Sequence, residues 1–148
     1  QTYAVQHAYL LNLGESYAAT PTKELFIKMN GRRVYEFAIS HVPMAIKAAI
    51  DKAGVSLQDV KKILIHQANE KMDEAIIQRL YKLCGVDTVP AGIMPMTIGW
   101  LGNSSVATIP TMLDLILKGQ MKEQAIKEGD LIIFASVGAG MNINAIVY

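Results

Sequence analysis

Three features of the sequence predict an α/β fold. The run Val60 to Ile65 is aliphatic or β-branched at most positions, stops at His66, and gives way almost at once to a helical pattern. Two further apolar runs, Leu131 to Ser136 and Met141 to Val147, read as strands joined through Val137-Gly138-Ala139-Gly140. Composition agrees: 51% of the 148 residues are apolar and 18% are charged, enough to bury a substantial core within one domain. A strand that runs into a helix leaves its last residue at the carboxyl edge of a sheet, where α/β folds keep their sites. His66 holds that position, and Asn103 sits in a similar place between a glycine and the start of a helix.

The formal net charge of +1 gives no global argument for nucleic acid or for an acidic partner. A single cysteine, Cys84, excludes an internal disulfide framework and suits a reducing, cytoplasmic compartment. No apolar run reaches membrane-spanning length and no signal peptide is visible. The chain opens on Gln1 rather than Met, as a processed product or an excised piece would.

Taken in order, residues 1–20 show no clean period in Tyr3, Val5, Tyr9, Leu10, Leu11 and Leu13 and remain unassigned. His7, among them, reads as a surface or packing residue. Thr20-Pro21-Thr22 marks a break, Leu25 to Met29 a short strand, and Asn30-Gly31 a turn. A helical pattern begins at Val34, with Ala38, Val42, Ile46, Ala49 and Ala53 on its apolar stripe. Pro43 leaves two possibilities, a helix that starts near Ser40 or a longer one that passes through the proline. Gly54 ends it, and Ser56-Leu57-Gln58-Asp59 forms a capping-box-like turn into the next strand.

From Asn69 to Leu83 the apolar residues Met72, Ile76, Leu80 and Leu83 recur at helical spacing. Asp73, Glu74, Gln78, Arg79 and Lys82 are expected on the solvent face, and Glu70 suits the helix N-terminus. Cys84, with no basic neighbour in sequence, reads as a buried structural thiol. Residues 86–101 form a looped passage in which Trp100 is expected in the core. The helix from about Ser105 carries Val106, Ile109, Leu113, Ile116 and Leu117, with Asp114 its one charge before Lys118. It is therefore expected to be covered on most sides. Gly119 to Glu128 reads as an exposed, charged loop.

His66-Gln67-Ala68-Asn69, then Gly102-Asn103-Ser104-Ser105-Val106-Ala107-Thr108-Ile109-Pro110, then the stretch Gly129 to Asn142, occur in an order that resembles the C-terminal half of β-ketoacyl-acyl-carrier-protein synthase III, of the thiolase superfamily. The resemblance covers residues 29–148 and leaves 1–28 apart. It implies a thiolase-like half, layered α/β/α around a mixed sheet, with the helix near Ser105 sandwiched between two sheets. It also implies a decarboxylative Claisen condensation of an acyl thioester with a malonyl-carrier protein, in fatty-acid or polyketide-type synthesis.

Charge then develops on the extender's thioester oxygen, and donors aimed there lower the barrier. His66 and Asn103 match the family's residues for that role, which a neutral histidine can fill in principle. The turn Gly138-Ala139-Gly140 matches the loop whose backbone N–H serves the acyl-enzyme oxyanion. Asn69, Gly31 and Arg32 match positions that meet CoA or pantetheine. Lys71 and Arg79 match basic positions of the carrier-docking face, or else belong to a solvated helix face.

The acyl-accepting cysteine belongs to the family's N-terminal half, and Cys84 does not match it. The expected partners are therefore that half, an acyl carrier protein, acyl-CoA or a malonyl thioester, and a second subunit in a full-length homodimer. Neither a cofactor nor a metal is implied, since His7, His41 and His66 lack ligand spacing. Four features depart from the family pattern: Ala139 for glycine, Glu36 for a basic residue, Val137 for an aromatic, and a longer loop after Gly119. Two alternatives stand beside this reading, a non-catalytic carrier-binding half and another condensing enzyme of the superfamily.

Overall fold

A computed structural model describes residues 5–18 and 23–148. Tyr3 and the break at Thr20-Pro21-Thr22 lie outside the described residues. The site is positioned by a three-stranded mixed sheet of β3 (Val60–Ile65), β4 (Leu131–Gly138) and β5 (Asn142–Val147), in that spatial order. A separate antiparallel ribbon pairs β1 (Leu11–Gly14) with β2 (Phe26–Met29).

Within the mixed sheet β3 runs parallel to β4, with Ile63 opposite Ile133 and Ile65 opposite Ala135, while β4 and β5 are antiparallel. Alternate residues feed two cores. Ile63, Ile65, Ile133, Ala135 and Ile143 join Ala38, Val42, Ile46, Ile76 and Leu80 on one side. Leu64 and Ile132 join Met112 and Ile116 on the other, with Phe134 against them. Helices thus cover both faces, giving the expected α/β/α layers. Burial on both faces is why β3 reads as a nearly unbroken apolar run rather than as an alternating one.

Lys61 interrupts the register at the start of β3. The next residue, Lys62, is buried along its stem and donates from Nζ to the carbonyl of Gly92 at 2.6 Å and to Oε1 of Gln124 at 2.5 Å. Burial, with Lys61 adding repulsion, pushes its pKa below the ordinary lysine value. This amine ties two long loops to the strand.

On the first face lie helices α1 (Gly31–Ala53) and α2 (Glu70–Leu83), packed against each other. Asn30-Gly31 proves to be a helix start and not a turn: Oδ1 of Asn30 accepts the N–H of Arg33 at 3.2 Å. Of the two possibilities left by Pro43, the long helix is observed, with Pro43 buried inside it. Its buried residues are Phe37, Ala38, Val42, Pro43, Ile46 and Ile50, whereas Ala49 is half-buried and Ala53 exposed. At 100° per residue Ala49 and Ala53 lie roughly 20° and 60° from Ala38, on the same stripe, and Ala53 is the last residue of the helix. Gly54 ends α1 at φ 69°, as expected.

In α2 the correction is larger. Asp73, expected in solvent, is completely buried beside Met72, Ile76, Ile77, Leu80 and Tyr81, and Leu83 is exposed instead. α2 packs along α1 and its buried residues belong to the core that Ile63 and Ile65 join, so its buried face is wider than the apolar spacing suggested. Cys84 is half-buried at the far end of α2, and burial pushes its thiol pKa up.

The passage 86–101 is looped as expected apart from one turn, α3 (Ile98–Leu101). Trp100 is not in the core; it is 61% exposed on a turn that buries no side chain. On the second face α4 (Thr108–Leu117) buries only Thr108, Met112 and Ile116. Val106 is 91% and Leu117 65% exposed, so the expected cover on most sides is absent among the described residues, where a single sheet meets this helix.

A 3-10 turn at Val5–Leu10 packs on the turn between β4 and β5, and the carbonyl of Leu10 accepts the N–H of Asn30 at 2.8 Å. His7 does have a packing role, its ring edge-on to Phe37 at 5.3 Å between centroids.

Candidate active site

β3 ends at Ile65, and the N–H of His66 still bonds the carbonyl of Ala135 at 3.0 Å, continuing the parallel ladder by one residue. The ring therefore projects from the carboxyl edge of the sheet, half-buried. Nδ1 lies 3.2 Å from the carbonyl oxygen of Ser105. A carbonyl only accepts, so Nδ1 carries the proton and, in the neutral ring, Nε2 keeps its lone pair. Burial holds the His66 pKa below its ordinary value, partly offset by this hydrogen bond. A neutral Nε2–H donor, the simplest expectation, does not fit this arrangement. Nε2 donates here only when the ring takes up a second proton.

Ser105 also fixes Asn103. Its N–H donates to Oδ1 of Asn103 at 2.8 Å, which assigns the amide orientation and leaves both Nδ2 protons of the exposed Asn103 without a partner among the described residues. The structure thus brings the two predicted residues together on the backbone of a third. Ser105 adopts φ 52°, and Met141 adopts φ 55°; these are the non-glycine residues in the left-handed region among those described. Both flank the loops at this edge, and such strain persists only where the surroundings impose it.

The turn after β4 lies just beyond the level of His66, since β4 continues from Ala135 through Gly138. Gly140 takes φ 74° while Ala139 stays outside the left-handed region, so alanine is accommodated there. Asn69 caps α2, its Oδ1 accepting the N–H of Met72 at 3.3 Å. Gly31 opens α1, and Arg32 pairs with Glu36 at 3.0 Å in an exposed i, i+4 ion pair. α1 starts beside Leu10, whose 3-10 turn packs on residues 139–141, which puts Gly31 and Arg32 at this edge as well. Lys71 and Arg79 are exposed on α2. Among the described residues no cluster of histidine, cysteine, aspartate and glutamate could hold a metal, and no helix is long and apolar enough to cross a membrane.

Sequence reasoning missed Ser105 and Gln67. Ser105 acts through its backbone, which side-chain chemistry does not signal. Gln67 stood inside the motif beside His66 but carried no charge or nucleophile to attract notice.

A mixed sheet between helices, with a histidine and an asparagine converging at its carboxyl edge, defines a thiolase-like half. The family described as 3-oxoacyl-[acyl-carrier-protein (ACP)] synthase III C terminal matches residues 50–148, and the chain belongs to that family. It is 34% identical over 136 residues to the beta-ketoacyl-[acyl-carrier-protein] synthase III of Thermosynechococcus vestitus, covering 92% of this chain and 38% of the relative. To the synthase III of Porphyra umbilicalis it is 36% identical over 121 residues, covering 82% of this chain and 34% of the relative. The crystal structure of the Thermus thermophilus synthase III superposes with a TM-score of 0.77 at 28% identity, covering 99% of this chain and 43% of that one. The chain thus spans less than half the length of the relatives it matches.

Proposed function

We propose that this chain supplies the enolate-stabilising half of a ketoacyl synthase III active site, acting in a longer enzyme that performs decarboxylative Claisen condensation. The C–C bond to the malonyl carboxylate breaks, carbon dioxide leaves, and the electron pair passes into the thioester as an enolate. The enolate carbon then attacks an acyl-cysteine thioester; a C–C bond forms, the C–S bond breaks, and the thiolate departs. Asn103 donates Nδ2–H to the enolate oxygen, and His66 donates Nε2–H in its protonated form. The cysteine belongs to the N-terminal half, because Cys84 lies at the wrong end of α2. Backbone N–H groups around Gly138, Ala139 and Gly140 serve the acyl oxyanion; Asn69, Gly31 and Arg32 meet the pantetheine arm. Lys71 and Arg79 face an acidic carrier protein, and the full-length enzyme is a homodimer.

One observation carries this reading: His66 and Asn103 are both anchored on the backbone of Ser105, with Oδ1 of Asn103 already engaged and its Nδ2 free to donate. Ordinary packing has no reason to turn two donors outward from one residue. In the full-length enzyme, His66→Ala or Asn103→Ala is expected to slow extender decarboxylation by roughly 10²–10³-fold while cysteine acylation suffers much less. The double variant is expected to lose less than the product of the singles, since both donors serve one charge. Near-normal decarboxylation in both single variants would overturn the assignment. Equal losses in both steps would instead give His66 to the cysteine.

A further inference from the structure

Among the described residues the most completely engaged side chain is not one of the proposed donors but the neighbour of one. Gln67 is fully buried, and its Oε1 accepts the N–H of Thr97 at 2.8 Å, the N–H of Ile98 at 3.0 Å and the hydroxyl of Thr97 at 3.1 Å. Its Nε2 donates to the carbonyl of Pro95 at 2.7 Å and lies 3.5 Å from Sδ of Met112. An amide oxygen has two lone pairs and an amide nitrogen two protons, so this group is saturated.

The N–H groups it takes up belong to the start of α3. Thr97 stands at the N-cap position of that turn but makes no side-chain cap of its own. Gln67 supplies the missing cap from a different part of the chain. The other end of α3 is Gly102, at φ 67°, followed directly by Asn103. On its own side Gln67 is covalently next to His66. One buried amide therefore joins the strand end that carries the histidine to the turn that carries the asparagine. An apolar residue of equal size would fill the space but strand the carbonyl of Pro95 and the N–H groups of Thr97 and Ile98, each costly when buried.

We propose that Gln67 is a positioning residue that sets where Asn103 stands relative to His66. The proposal rests on the donor pair assigned above, but its test reads geometry rather than turnover, so the two fail separately. In the isotopically labelled chain, Gln67→Met is expected to speed amide exchange at Ile98 at least tenfold. It is also expected to collapse the Asn103 side-chain amide shifts towards free values and move the His66 pKa back towards its ordinary value. Amides of β4 and β5 keep their protection. Thr97→Val, which deletes only the hydroxyl, leaves the Asn103 signals in place.

Gln67→Glu answers the same question if the methionine variant does not fold. Protonated at low pH, it still accepts at one oxygen and donates from the other, so the Asn103 shifts are native there and are lost as the carboxyl ionises. Unchanged Asn103 shifts in Gln67→Met, or in ionised Gln67→Glu, alongside faster Ile98 exchange, would reduce Gln67 to a cap for one surface turn and overturn the proposal. The assignment of His66 and Asn103 as donors would stand regardless.

Discussion

Nδ1 of His66 and the carbonyl oxygen of Ser105 lie 3.2 Å apart, and this contact decides which ring nitrogen holds the proton. The neutral ring is the Nδ1–H tautomer, and burial keeps it neutral to lower pH than a free histidine. Nitrogen chemical shifts of His66 are expected to report that tautomer, with a titration below the ordinary value. Because Nε2 donates only once protonated, decarboxylation by the full-length enzyme is expected to quicken as pH falls towards that depressed pKa. Ser105→Ala leaves the effect intact, since the contact is to backbone. A flat profile from pH 5 to 8 together with an Nε2–H signal would show the ring turned the other way.

Asp73 is completely buried, and neither carboxylate oxygen has a hydrogen-bond partner among the described residues. Burial pushes its pKa up to about 8, with Glu70 and Glu74 adding repulsion. Between the unfolded value near 4 and about 8, the folded chain binds the extra proton, so stability falls as pH rises through that window. Asp73→Asn keeps shape and polarity but cannot ionise. Its Tm is expected to match the parent at pH 4 and exceed it increasingly up to pH 8. A Tm difference that does not change with pH would mean that a cation or water reaches the carboxylate.

The turn that joins β4 to β5 requires positive φ at Gly140 and not at Ala139. Gly140 sits at φ 74°, and a Cβ there would stand 3.3 Å from Nδ2 of Asn142. Gly140→Ala is expected to cost on the order of 1 kcal/mol or more in denaturant unfolding. Ala139→Gly gains nothing from positive φ and is expected to cost about 0.5–1 kcal/mol through the unfolded chain. The reverse order of the two would place the left-handed residue at Ala139.

Lys71 and Arg79 stand eight residues apart on α2, about 12 Å along its axis. Reversal of either charge is expected to weaken binding of an acidic carrier protein to the full-length enzyme, more at low salt than at high. Unchanged affinity for both reversals would leave them as solvated residues of a helix face.

The sheet was legible because β3 is buried on both faces and its apolar run has no competing helical period. Asn30-Gly31 was not, since an asparagine oxygen that accepts a nearby N–H serves a hairpin turn and a helix cap equally well. Asp73 misled for another reason: charge marks solvent on most helices, and only the packing of α2 along α1 reveals the wider buried face. At the site, His66 and Asn103 were visible as chemistry. Their coupling was not, because it runs through the backbone of Ser105 and an uncharged amide at Gln67, and neither is signalled by side-chain type alone.

The parallel pairing of β3 with β4 also bears on how the chain acquires its shape. Among the described residues β3 has no other strand neighbour, and Leu131 follows Ile65 only after α2, α3, α4 and the loops between them. Closing so long a segment costs entropy before any ladder bond repays it, which slows folding. During synthesis the order is fixed as well, because the N-terminal part emerges first. β3 and α2 are made before β4 and wait with an unpaired edge until Ala135, whose carbonyl anchors His66 at 3.0 Å, has been made. The histidine is therefore translated before both of its anchors, Ser105 and Ala135, and is held in place only once the second of them exists.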